Sequence, residues 1–237
     1  MDFRWRQERT AEVCDRTRGA TLPGRRGWGT IMGRNDPVDP APLLQLLADG
    51  NQRHARGAHR HPHQDVSRRV DLASGQRPWA AILGCSDSRV PPEIVFDQGL
   101  GDLFVVRTAG HVCDAAVTAS LSYAVVHLHV PLVVVLGHGG CGAVQAALNR
   151  RPAEPADCLC TAIEPAIAVA RLGPGDLSAL TVRFHVQRTV EHVRGALPGL
   201  PRADVVGAVY DLASGIVEFL DLLSPLDLAW PPGRMPQ

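Results

Sequence analysis

The chain contains no lysine: its 24 basic residues are all arginine, and 24 acidic residues balance them within 237. That bias reads as high-GC codon usage rather than as adaptation to heat. With a formal net charge of zero, no overall field draws the chain to nucleic acid or to an anionic membrane. No N-terminal stretch has the apolar core of a secretory signal, and no run is long enough to span a bilayer. The longest apolar run, from Pro131 to Leu136, has the length of a buried strand. The six cysteines, Cys14, Cys85, Cys113, Cys141, Cys158 and Cys160, lack the density of a disulfide scaffold and read as mostly reduced thiols. A soluble protein in a reducing, cytoplasmic setting is the expectation.

What is present suits one α/β domain. A mass of 25.4 kDa and a hydrophobic fraction of 45% are ordinary for a globular chain. Residues 1–39 stand apart: they are Arg-rich, broken by Gly and Pro, and have no sustained amphipathic pattern. They read as a disordered tail or as the product of a start assigned ahead of Met32. The competing reading is a basic arm for an anionic partner. The folded domain is expected over 40–225, with a short tail over 226–237.

Within it, Leu43, Leu44, Leu46 and Leu47 form a helical face that ends near Asp49-Gly50-Asn51, where the glycine suits a cap. His54 to Arg69 reads as an irregular loop, and its His54, His59, His61 and His63 as solvated side chains rather than a metal tract. Strands are predicted from Trp79 to Leu83, Leu103 to Arg107, Leu132 to Leu136, Val205 to Tyr210 and Ile216 to Leu220. Between them, helices run from Val117 to Leu128, from near Gly142, from Ile163 to Leu172 and from Leu177 to Leu197. Cys158-Leu159-Cys160 reads as a surface loop. This alternation predicts a mainly parallel central sheet flanked by helices, with about four parallel strands and an antiparallel C-terminal strand joined through Leu212–Gly215.

Two clusters fall at the carboxyl ends of predicted strands, where such sheets bind ligands. Cys85-Ser86-Asp87-Ser88-Arg89 follows Ala80–Leu83, and His138-Gly139-Gly140-Cys141 follows Leu132–Leu136. Cys85, His138 and Cys141 are three zinc ligands, leaving the fourth tetrahedral position for water or a carboxylate. An acid and an arginine beside the first cysteine point beyond a structural knot, toward metal-assisted attack of hydroxide on a small electrophile.

These residues resemble the β-class carbonic anhydrases, in wording most similar to their actinobacterial branch. The resemblance runs from about Leu46 to Leu220. It is carried by Asp49-Gly50-Asn51-Gln52-Arg53, Gly84 to Pro91, Phe96-Asp97-Gln98-Gly99, Gly101 to Arg107, Leu136-Gly137-His138 and Cys141-Gly142-Ala143-Val144. It implies that family's α/β zinc fold, obligate dimers often paired into tetramers, and active sites at the dimer interface. The departures are local. His111 stands where many relatives have Asn, Ser122 where Glu is frequent, and His54 where Phe is common. Ile82 replaces the Trp that some bacterial members use in an inhibitory bicarbonate pocket.

The resemblance implies Zn2+ held by Cys85, His138 and Cys141, and reversible hydration of CO2 to bicarbonate and a proton by zinc-bound hydroxide. Asp87 has two readings. Paired with Arg89, it orients the hydroxide; released, it becomes the fourth ligand of a closed state. Gln98 matches the residue that hydrogen-bonds substrate or bicarbonate, reaching across the dimer interface. His111 is either a proton shuttle or a structural side chain. The competing functions are a COS or CS2 hydrolase on the same zinc site and a non-catalytic zinc scaffold.

Overall fold

The computed structural model describes residues 40–150, 157–197 and 205–220. The Arg-rich 1–39 segment and the 226–237 tail lie outside the described residues.

Strands β1 (Ala80–Cys85) and β3 (Val133–His138) are buried at every position. Neither alternates polar with apolar, because helices cover both faces of the sheet at its centre. Strand β2 (Leu103–Thr108) is half-buried throughout, as an edge strand should be. With β4 (Val205–Tyr210) and β5 (Val217–Leu220) the sheet order is β2-β1-β3-β4-β5. The first four strands are parallel and β5 runs antiparallel to β4, as the alternation of the sequence predicts. β1 and β3 are neighbours, registered from Ala81 on Val133 to Gly84 on Leu136. Cys85 and His138, the last residues of those strands, therefore end side by side.

Aspartates cap three of the larger helices. Asp114 accepts from the Val117 amide at the start of α4 (Ala115–Val126), Asp157 from Cys160 in α6 (Cys158–Ala170), and Asp176 from Ser178 in α7 (Leu177–Ala196). Each satisfies an amide that the first helical turn leaves unpaired. Val117, Leu121 and Val125 of α4 and Val186, Val190 and Val193 of α7 share one buried cluster with Leu83, Val133 and Val135. A second cluster joins Cys85 and Cys141 to Val144 of α5 (Gly142–Asn149), Ile163 of α6 and Val182 of α7.

Three local expectations change. Helix α1 (Ala41–Ala55) does not stop at Gly50 but runs one turn past it. There the glycine serves close approach rather than capping, since a Cβ on Gly50 would lie 1.9 Å from the Phe96 carbonyl oxygen. Cys158-Leu159-Cys160 is the opening of α6, not a loop. The segment after α1 contains a short helix, α2 (Val66–Asp71), whose cap Asp65 accepts from the Arg68 amide. A further short helix, α3 (Pro92–Val95), opens on the Pro91-Pro92 pair, where a missing amide costs nothing at a helix start.

Candidate metal centre

The carboxyl ends of β1 and β3 and the cap of α5 bring Cys85, His138 and Cys141 together, all buried. Their ligating atoms all lie within 4.8 Å of one another, and among the described residues they form the one such group of histidine, cysteine or acidic side chains. The two sulfurs are 3.9 Å apart. His138 Nδ1 lies 2.9 Å from the Gly139 carbonyl oxygen. A carbonyl only accepts, so Nδ1 carries the hydrogen and the bare Nε2 faces the sulfurs. That buried Nε2 has no hydrogen-bond partner among the described residues. Two buried sulfurs and an orphaned imidazole nitrogen need a soft cation between them, and this N/S donor set is one that zinc takes.

The electrostatics agree. The Cys85 thiol is pushed down to about 4: the hydrogen bond from Cys141 has the largest effect, His138 and the Asp87 and Gly110 amides add to it, and burial opposes it. Those amides reach the Cys85 Sγ at 3.4 and 3.3 Å. The neighbouring Cys141 is pushed up, because a proton shared with an adjacent thiolate is hard to lose. Burial pushes His138 down, but the Cys85 sulfur, the Gly139 carbonyl and Asp87 outweigh it and hold the imidazole above its ordinary value.

Asp87 stands at the mouth of this group, its Oδ2 3.8 Å from His138 Nε2. Arg89 clamps it with two parallel bonds, Nε to Oδ1 at 2.9 Å and Nη2 to Oδ2 at 2.6 Å, while the Arg89 amide donates to Oδ1 at 3.0 Å. The guanidinium holds this carboxyl well below the usual carboxylate range. Arg107, to which the sequence reading assigned no role, latches the same loop. Its Nε donates to the Cys85 carbonyl at 2.9 Å and its Nη2 to the Asp87 carbonyl at 2.5 Å. Its position at the end of the recognisable Gly101-Asp102-Leu103-Phe104-Val105-Val106-Arg107 run was the available signal.

Gln98 lies where α3 meets α1, and its Nε2 donates to the Phe96 carbonyl oxygen at 3.0 Å. His111 is buried, with neither ring nitrogen hydrogen-bonded among the described residues, a poor position for relaying protons. Of the four histidines after Arg53, His61 and His63 are exposed as expected, while His54 and His59 are half-buried. His54 Nδ1 contacts His59 Nε2 and its Nε2 contacts the Tyr210 hydroxyl, each at 2.9 Å. His63 Nδ1 pairs with Asp102 at 2.7 Å.

Comparison with known proteins gives consistent matches. A family description reading carbonic anhydrase matches residues 80–217. The chain is similar to a protein named carbonic anhydrase 2 from Mycobacterium tuberculosis, 59% identical over 111 residues, a stretch that covers 47% of this chain and 54% of that relative. The chain thus spans about half the length of that relative. It is also similar to a carbonic anhydrase of Mycolicibacterium smegmatis, 43% identical over 192 residues, covering 76% of this chain and 93% of the relative. Among solved structures it resembles one of two tetrameric β-carbonic anhydrases from Sordaria macrospora, with a TM-score of 0.52, 28% identity, and coverage of 76% of this chain and 97% of the other.

Proposed function

Since the chain belongs to the β-class carbonic anhydrases, we propose that it catalyses the reversible hydration of CO2 to bicarbonate and a proton. The observation that carries this reading is the buried Cys85–His138–Cys141 group with the Asp87–Arg89 pair at its mouth. Cys85, His138 and Cys141 would hold Zn2+. Bound there, zinc lowers the pKa of a coordinated water toward ~7, which supplies a nucleophile near neutral pH.

The rest falls to the chain's own side chains. Asp87, ionised and clamped by Arg89, accepts a hydrogen bond from the attacking water and so fixes which lone pair meets the substrate carbon. A carboxylate freed from Arg89 would instead serve as the fourth ligand and close the site. Arg107 keeps the Cys85–Asp87 loop in place through its two carbonyls. Gln98 can both donate and accept, and its proposed partner is substrate or bicarbonate across a dimer interface.

A homodimer, or a dimer of dimers, is supported by β2, which is a half-buried edge strand along its whole length, and by exposed Tyr123 and Val126 on α4. An edge left open in this way is a ready surface for a second chain. The proposed domain spans 40–225. Among the described residues no helix is long and apolar enough to cross a membrane, and the free thiols of Cys85, Cys113, Cys141, Cys158 and Cys160 support the proposal of a reducing, cytoplasmic setting. The complete acid–arginine pair beside the ligands speaks against a silent scaffold, and the similarity to carbonic anhydrases favours CO2 over COS or CS2 as the substrate.

The test is stopped-flow CO2 hydration with parallel zinc analysis across the titration of the nucleophile, about pH 6.5 to 9. Stoichiometric zinc with activity rising with pH is expected. Stoichiometric zinc without activity at any pH would refute the reading.

A further inference from the structure

Behind the ligand group the chain buries two histidines that the proposed reaction does not use. His111 closes the 3-10 turn Ala109–His111 and His185 lies in the middle of α7. Their ring centroids are 4.5 Å apart. His185 makes one hydrogen bond, from Nε2 to the Gly110 carbonyl oxygen at 3.0 Å, and its Nδ1 has none among the described residues. The carbonyl only accepts, so Nε2 carries the ring hydrogen. Burial pushes His185 down to about 4, which leaves it neutral, and in that single tautomer, at neutral pH.

Gly110 faces two ways. Its carbonyl meets His185, and its amide donates to the Cys85 Sγ at 3.3 Å. The residue sits beyond the end of β2, at φ 63 and ψ 23, so the strand ladder does not hold it. A Cβ there would lie 3.1 Å from the Ala143 Cβ and 3.2 Å from the Ile163 Cδ1. The left-handed backbone and the tight surroundings both call for glycine, whose backbone is the most freely mobile of all residues. Such a residue aims its amide reliably only if something fixes its carbonyl. The bond from α7 does this.

We propose that His185 is a positioning residue for the metal centre: it grips the Gly110 carbonyl and thereby keeps the Gly110 amide on the Cys85 sulfur. The inference rests on the zinc reading above. An amide hydrogen bond to a thiolate draws off sulfur electron density and keeps the sulfur deprotonated and oriented toward the cation. Helix α7, which supplies no ligand, then helps to hold the site's geometry. Partners of this kind, one shell removed from the metal, commonly change affinity by about 10- to 100-fold.

His185→Gln, His185→Asn and His185→Leu separate this role from packing. The Gln amide nitrogen lies as many bonds from the backbone as Nε2, whereas that of Asn stands where Nδ1 does and stops short of Gly110. Leu is close to Gln in size but cannot donate. Zinc affinity of the full-length protein would be measured at neutral pH by competition with a chromophoric chelator. The thiolate-to-metal charge-transfer band would be recorded on the cobalt-substituted proteins. About tenfold weaker zinc binding and a shifted band are expected for Asn and Leu, with Gln within about threefold of the parent and its band unmoved. Gln and Leu moving together, or all four proteins behaving alike, would overturn the proposal. If Leu does not fold, the contrast of Asn with Gln decides. A parent protein that takes up no zinc would refute the zinc reading instead.

Discussion

Asn51 ties α1 to the rest of the domain through three hydrogen bonds, and its removal has a magnitude that can be worked out. The side chain is buried. Its Nδ2 donates to the Val95 carbonyl at 3.2 Å and to the Gly215 carbonyl at 2.9 Å, and its Oδ1 accepts from the Val217 amide at 2.8 Å. One amide thus joins α1 to the end of α3 and to the β4–β5 turn. In Asn51→Ala the three backbone groups lose their partner together. Each unsatisfied buried group costs about 1–3 kcal/mol. The Val95 and Val217 groups lie in buried surroundings and the Gly215 carbonyl is partly open to water, so the sum is about 4 kcal/mol. For a chain of this size that lowers the melting temperature by roughly 8–16 °C. Asn51→Asp keeps the acceptor for Val217 but sets a buried carboxylate against the Val95 and Gly215 carbonyl oxygens, and at neutral pH should destabilise at least as much as Ala. The assay is thermal and urea unfolding at one fixed protein concentration, because assembly makes the midpoint concentration-dependent. A loss below about 1 kcal/mol would refute the reasoning and show that water replaces the amide at little cost.

Three further outcomes are expected. Asp87→Ala should retain zinc and lose most CO2 hydration, read by stopped flow alongside metal analysis; full activity with full zinc would remove Asp87 from the reaction. Gly50→Ala should destabilise the protein in urea unfolding although Ala gains about 1 kcal/mol of helix propensity over Gly, because the new Cβ meets the backbone of Phe96. Asp97 yields a pH signature. Burial raises its pKa, but the Arg53 bond at 2.6 Å and the Arg60 and His61 amides outweigh this and hold the carboxyl below its ordinary value. A depressed acid stabilises the fold above its unfolded pKa, and that contribution is lost as pH falls through the folded value. Asp97→Asn should therefore flatten the acid side of the stability curve below about pH 4, measured by urea midpoints across pH.

The chain's order of apolar runs and turn residues was enough to establish a parallel sheet with an antiparallel last strand, because buried strands of this kind are continuous Val, Ile and Leu. The same linear reading found Cys85, His138 and Cys141, since metal ligation requires a few soft donors at the ends of such strands. It misjudged Gly50 and Cys158: the Asp157 cap beside Cys158 was in view, whereas the reason at Gly50 lies outside its own neighbourhood. Gly50 continues a helix because Phe96, far along the chain, presses its carbonyl against it. His54 is held by Tyr210. Arg107 was marked only by ending the Gly101–Arg107 run, and His185 carries no local mark: one latches carbonyls of the Cys85 loop and the other grips Gly110 from across the core. Ligand chemistry is a property of residue type and is legible in one dimension. The hydrogen bonds that aim those ligands join residues distant in sequence, and only the packing of β1, β3, α1 and α7 brought them within reach.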